Sequence, residues 1–215
     1  MPTIRTVLFD LDGTLIDSIG LILSSYRHTM IAHGYAEVPD AEWLRGVGTP
    51  LRAQLGPWAR DDAHLEELVA TYRDYNLRNH DQMVRPFPGV GEVVRAIRAR
   101  GHRTGVVTSK TREGTRRGLR LVGLEEAIEV MVCADDVVNA KPHPEPVTRA
   151  VAALRADPGS TLFIGDSIHD LNAGRAAGVL TGAVLWGPFS RGELEAGSPD
   201  FWLQAPEDLE MLTLR

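Results

Sequence analysis

Five short apolar runs rich in β-branched residues set the limits on how this chain can fold: Thr6 to Phe9, Thr104 to Thr108, Val130 to Cys133, Leu162 to Ile164 and Ala183 to Trp186. Each is too short for an ordinary helix and lacks polar alternation, which is the pattern of a strand buried on both faces. Between the later runs the periodicity becomes helical, at Val90 to Arg100, Arg112 to Leu121, Glu145 to Leu154, and Asp170 to Ala177 closed by Gly178. Strands alternating with helices predict an α/β fold whose parallel sheet is covered on both faces.

The stretch from Asp17 to about Met83 breaks this rhythm. It offers no convincing strand, while Ile19, Ile22, Leu23, Tyr26 and Met30 form a helical stripe, as do Leu65, Leu68, Val69 and Tyr72. Residues 16–83 are therefore expected to be an all-helical insertion, and 1–15 with 84–215 to be the α/β core. Arg85-Pro86-Phe87-Pro88-Gly89 marks the return, since two prolines and a glycine favour extended or turning chain. Beyond the last clear strand, Phe201 to Leu203 is expected as an edge strand and Pro206 to Leu212 as a terminal helix.

A net charge of -6 repels polyanions, so nucleic acid is not an expected partner. The one basic cluster, Arg112, Arg116, Arg117 and Arg120, reads as a solvated helix face. A single cysteine, Cys133, excludes an intramolecular disulfide and sits in an apolar run as a core thiol. No apolar stretch approaches the roughly 18 residues of a membrane span. The expectation is a cytoplasmic protein, monomer or homodimer, without a membrane partner.

In an open parallel sheet, ligands bind beyond the carboxyl ends of the strands. The polar residues of this chain gather at such ends. Asp10 follows the first strand, Thr108 and Ser109 end the second, Lys141 lies beyond the third and Asp166 follows the fourth. Asp10 and Asp12, two residues apart, leave an extended chain on the same side, and Gly13 allows a sharp turn after them. A carboxylate can attack phosphorus only if the phosphate charge is offset. A magnesium ion on Asp10 and Asp166, the Lys141 ammonium and the Thr108 hydroxyl suit that task.

Asp10-Leu11-Asp12-Gly13-Thr14, Thr108, Lys141-Pro142 and Gly165-Asp166-Ser167-Ile168-His169-Asp170 resemble the four motifs of the haloacid dehalogenase superfamily, in order and over nearly the whole chain. The helical insertion falls where members with a small helical cap carry theirs. The resemblance implies a Rossmann-like core with an inserted cap, and a magnesium-dependent phosphatase acting on a small phosphorylated metabolite through a phosphoaspartate. It implies Asp10 as nucleophile, Asp12 as acid and base, and Thr108 and Lys141 as phosphoryl holders. Asp10, the backbone carbonyl of Asp12 and Asp166 would hold magnesium, with Asp170 supporting the metal or orienting Lys141.

Neighbouring activities within that superfamily separate by residue. A dehalogenase lacks the second aspartate, which is present here as Asp12. A phosphonatase uses a cap lysine, whereas both lysines, Lys110 and Lys141, lie outside residues 16–83. The stretch Leu44 to Leu51 resembles the cap loop of phosphoglycolate phosphatases and related cytosolic pyrophosphatases, which implies 2-phosphoglycolate as substrate. Pyrophosphate hydrolysis and a sugar-phosphate mutase of the β-phosphoglucomutase kind remain alternatives. Thr49 is expected to cap a helix starting at Pro50, with Arg45 or Arg52 pairing with a substrate carboxylate or second phosphate and Ser109 also contacting substrate. A receiver-type signalling module also uses Asp, Thr and Lys, but is shorter and places its aspartate elsewhere. The histidines are scattered, with no zinc-type spacing.

Overall fold

The computed structural model describes residues 3–213, so residues 1, 2, 214 and 215 of the expected core segments lie outside it. Strand β1 (Thr6–Phe9) leads to a two-residue strand β2 (Ile16–Asp17) and then to four helices: α1 (Ile19–Ala32), α2 (Asp40–Leu44), α3 (Leu51–Leu55) and α4 (Asp62–Met83). The chain returns through β3 (Arg85–Pro86) and alternates thereafter: α5 (Val90–Ala99), β4 (Arg103–Val107), α6 (Arg112–Leu121), β5 (Val130–Val132), α7 (Glu145–Ala153), β6 (Thr161–Gly165), α8 (Ile168–Ala176) and β7 (Leu180–Val184). Helix α9 (Arg191–Leu194), β8 (Phe201–Leu203) and α10 (Pro206–Thr213) complete it.

Six strands form one sheet in the order β5-β4-β1-β6-β7-β8, every pairing parallel. The period of two along each strand divides its apolar residues between two cores. Val7, Phe9, Leu162 and Ile164 pack with α5 and α10 on one face, and Leu8 and Phe163 pack with α7 and α8 on the other. This is the two-faced burial that the continuous apolar runs require.

Two expectations shift. The fifth strand is Leu180–Val184 rather than Ala183 to Trp186. Thr181 and Gly182 disguise it, because the Thr181 backbone N–H and hydroxyl are both taken by the Asp200 carboxylate, at 2.8 and 3.1 Å. Trp186 has left the sheet and donates its indole N–H to the Thr14 carbonyl at 3.0 Å. The second shift is at the base of the insertion, where β2 pairs antiparallel with β3, Ile16 opposite Pro86 and Asp17 opposite Arg85. Two residues are too few to show a period in sequence.

The inserted helices have an apolar cluster of their own, built on Tyr26, Trp43, Leu55, Leu68 and Tyr72. The Tyr26 and Trp43 rings stack with centroids 4.3 Å apart. Helix α4 begins where the Asp61 carboxylate accepts from the His64 backbone N–H at 2.8 Å. The histidines are less scattered than their spacing implies. His33 Nδ1 lies 3.3 Å from His64 Nε2, with Glu67 nearby. Each remaining ring nitrogen has a protein partner, Thr71 for His33 and the Arg60 backbone N–H for His64.

Candidate active site

The sheet order places β5, β4, β1 and β6 side by side, so Lys141, Thr108, Asp10 and Asp166 meet at one edge. Parallel pairing fixes their heights. The Asp10 backbone N–H donates to the Ile164 carbonyl at 2.8 Å and that of Thr108 to Val132 at 3.0 Å. Asp10, Thr108, Lys141, Asp166 and Asp170 are all buried.

Lys141 is the centre of the charge arrangement. Its Nζ donates to Asp10 Oδ1 at 2.7 Å and to Asp170 Oδ1 at 2.6 Å. The other Asp170 oxygen accepts from the Ser167 backbone N–H at 3.1 Å and from its hydroxyl, closing a capping box at the start of α8. Both Asp170 oxygens are thus committed, one of them to Lys141.

Asp166 differs. Its Oδ1 accepts from Thr14 Oγ1 at 2.9 Å, while its buried Oδ2 has no partner among the described residues. Gly13, at φ +86°, closes over it, and a Cβ at that position would fall 2.5 Å from Asp166 Oδ2. Asp10, Asp166 and Asp170 each offer an oxygen within 4.8 Å of the others.

Burial pushes the Asp10 carboxyl up to about 7, against the opposing pull of Lys141 and with further push from Asp170 and Asp12. Burial likewise raises Asp166 well above the usual carboxylate range, reinforced by Asp170 and Asp10. Burial alone would lower Lys141, but the carboxylates of Asp10 and Asp170 hold it above its ordinary value. Asp10, Asp12, Asp166 and Asp170 outnumber the two ammonium groups, Lys141 and Lys110, that pair with members of the set. An orphaned oxygen, an all-oxygen donor set and carboxyl groups whose protons a cation would displace fit a hard divalent cation on Asp10 and Asp166.

A cavity of 610 Å³ opens beyond this cluster, between the sheet edge and the inserted helices. Asp10, Asp12, Thr108 and Ser109 line it from the core, and Gly48, Thr49, Tyr26, Tyr72 and Arg73 from the insertion. Ser109 Oγ donates to the Gly48 carbonyl at 2.7 Å.

The expected cap residues fare unevenly. Thr49 lines the cavity but caps no helix: its hydroxyl donates to the Gly46 carbonyl at 2.7 Å, and α3 starts after Pro50. Arg45 is exposed, does not line the cavity, and donates through Nε to the Ala41 carbonyl one turn back, at 3.2 Å. Arg52 lines the cavity, but its guanidinium pairs with Glu66 at 2.7 Å. Lys110 was not expected here. Its Nζ donates to Asp12 Oδ1 at 2.7 Å, and the same oxygen accepts from Ser18 Oγ at 2.6 Å. The signal was its place two residues after Thr108, which puts it at the same strand end. Three of the four arginines on the basic face of α6 are paired, Arg112 with Asp136, Arg117 with Asp81 and Arg120 with Glu125.

An open parallel sheet carrying a buried carboxylate–lysine cluster and an adjoining cavity at its carboxyl edge defines a hydrolytic enzyme site of the phosphatase class. The chain belongs to the haloacid dehalogenase-like hydrolases, whose family model matches residues 7–184. Over 206 residues it is 40% identical to the pyrophosphatase PpaX of Bacillus cereus (strain G9842), covering 96% of this chain and 94% of that one. Among solved structures it resembles one described as a haloacid dehalogenase-like hydrolase from Bacteroides fragilis, with TM-score 0.90, 27% identity, and 96% and 100% of the two chains covered. A second, described as a phosphoglycolate phosphatase from Lactobacillus plantarum, matches with TM-score 0.87 at 26% identity over 98% and 99% of the chains.

Proposed function

We propose that this phosphatase cleaves a small phosphorylated compound by attack of the Asp10 carboxylate on phosphorus, with Asp166, Asp10 and the backbone carbonyl of Asp12 holding magnesium. The observation that carries the reading is Asp10 itself: buried, fixed through Oδ1 by Lys141, and lining a cavity shared with Asp12 and Thr108. Magnesium would supply positive charge to a phosphate approaching a carboxylate-rich site. Lys141 holds Asp10 against rotation and offers charge to the phosphoryl oxygens, and the Thr108 hydroxyl donates to them. Asp12 gives a proton to the leaving oxygen as its bond to phosphorus breaks, leaving phosphoryl on Asp10. It then takes a proton from the water that releases phosphate and restores Asp10. Residues 16–83 act as a cap over the core of 1–15 and 84–215.

The test is phosphate release with and without magnesium. Asp10→Asn is expected to remain folded and to lose turnover; full activity in that variant overturns the nucleophile assignment. We take 2-phosphoglycolate as the first substrate, and the relative at 40% identity favours pyrophosphate as the second. Their kcat/KM values, measured side by side, decide between them, and an isomerised sugar phosphate formed with little free phosphate would favour a mutase instead.

A further inference from the structure

Lys110 has no part in the steps above, yet it sits where the substrate's leaving side must lie. Lys110 and its partner Asp12 both line the cavity, and their side chains are only 13% and 15% exposed. An ammonium has three protons to donate, and Asp12 Oδ1 is the one side-chain acceptor that Lys110 meets among the described residues. Arg73 of α4 lines the same cavity from the insertion, and its exposed side chain makes no hydrogen bond or ion pair among the described residues. The other cap cation lining the cavity, Arg52, is occupied by Glu66. Two cations with spare donors therefore face one cavity, in addition to Lys141, which is spent on Asp10 and Asp170.

A half-buried ammonium that is held by one carboxylate and keeps donors free towards the cavity is placed to bind an anion entering there. We propose that Lys110, assisted by Arg73, binds a second anionic group on the leaving side of the substrate. The enzyme would thereby prefer compounds that join a phosphoryl group to another carboxylate or phosphate over phosphate esters of neutral alcohols. The proposal rests on reading the cavity as the substrate site of the phosphatase, and it names the substrate class. In both 2-phosphoglycolate and pyrophosphate the second anion lies within two bonds of the leaving oxygen. A cation paired with Asp12, the residue that serves that oxygen, stands at the right separation. Lys110 then acts as a specificity residue, its bond to Asp12 keeping it beside the leaving group.

Binding is measured by calorimetry in an Asp10→Asn background with magnesium, so that turnover is not needed. The ligands are 2-phosphoglycolate, pyrophosphate and the neutral analogue 2-hydroxyethyl phosphate. The two charged ligands are expected to bind at least about tenfold more tightly than the analogue. Lys110→Met is expected to remove most of that preference, Lys110→Arg to keep most of it, and Arg73→Met to reduce it in the same direction. The larger loss between the two charged ligands identifies which anion the site takes. Equal affinity for charged and neutral ligands in the background protein overturns the proposal, as does a loss in Lys110→Met that is the same for both. Should Lys110→Met fail to fold, Lys110→Gln and Arg73→Met carry the same comparison. If the unmodified enzyme releases phosphate from none of the three, the hydrolytic reading fails while the binding comparison still decides the role of Lys110.

Discussion

Ser109 and Gly48 join the two halves of the site: the serine hydroxyl, at the end of β4, donates to the glycine carbonyl in the inserted segment at 2.7 Å. Gly48 is held at φ +93°, and a Cβ there would meet Ser167 Oγ at 2.8 Å, so the inserted loop also rests on the start of α8. One neutral hydrogen bond contributes about 1 kcal/mol, or roughly fivefold in an equilibrium. Ser109→Ala is therefore expected to raise KM by about fivefold with little change in kcat. Steady-state kinetics with magnesium checks this, and an unchanged KM would show that the bond does not help hold the inserted loop at the cavity.

Asp12 offers a second test, because its side chain is tied to Lys110 and Ser18 rather than to the buried cluster. Asp12→Asn is expected to lower kcat by about 10²- to 10⁴-fold, the usual contribution of a positioned acid or base. Magnesium affinity, followed by calorimetry, should stay within about threefold, since only the backbone of this residue is proposed as a ligand. A large loss of metal affinity would instead make its carboxylate a ligand.

Lys141 bears on stability as well as on turnover. Its side chain is 1% exposed and lies between two buried carboxylates. Removing one member of such a set leaves uncompensated buried charge, at a cost of about 3–5 kcal/mol. Lys141→Met should lower Tm by about 10 °C for a chain of this size, measured by calorimetry in chelator. A Tm within a degree or two of the parent would mean that the carboxylates take up protons or water without strain.

The raised carboxyl of Asp10 gives a pH dependence with a definite sign. Burial favours its protonated form in the folded protein, between an ordinary value of 3.8 and one of about 7. Its stabilising contribution is whole below the lower value and is lost as pH rises through the upper one. Asp81 and Glu145, pulled down to about 2, lose their contributions only in more acidic solution. Metal-free protein should therefore melt at progressively lower temperature from about pH 5 to about pH 8. Magnesium should raise Tm more at the higher pH, where the ligands are ionised; at about 100 times Kd the gain is about 2.7 kcal/mol. An equal magnesium shift at both pH values would count against Asp10 and Asp166 as ligands.

Gly13 tests the metal site from the backbone. An alanine there would be strained at φ +86° and would press on Asp166 Oδ2. Gly13→Ala is expected to weaken magnesium binding by at least about tenfold, with about 1–2 kcal/mol lost from stability. Unaltered metal affinity would separate the Asp166 oxygen from magnesium.

The core could be read from the sequence because its signals are local. The strand Thr6–Phe9 and the helix Arg112–Leu121 fall where their periodicity places them. Asp10, Thr108, Lys141 and Asp166 could be assembled because parallel strands bring their carboxyl ends to one edge whatever the loops between them do. The cap loop allowed no such inference. Thr49 and Arg45 had partners one turn away, the carbonyls of Gly46 and Ala41, and local bonds of that kind outcompete a distant cavity. The pairing of Lys110 with Asp12 spans 98 residues, the whole insertion among them, and follows only once β4 is known to lie beside β1. His33 and His64 were hidden in the same way, since their meeting depends on how α1 packs against α4.

The short ribbon of β2 and β3 bears on how this enzyme can change. Ile16 and Asp17 lie opposite Pro86 and Arg85, so the chain leaves the core and comes back at adjacent points. The entropy of closing the intervening segment depends only weakly on its length. The sheet therefore bears little added penalty when the segment spliced in between is lengthened or shortened. Helices could be added, shortened or exchanged there as a cassette, retargeting the enzyme to a new leaving group while the carboxylates on the sheet edge stay in register.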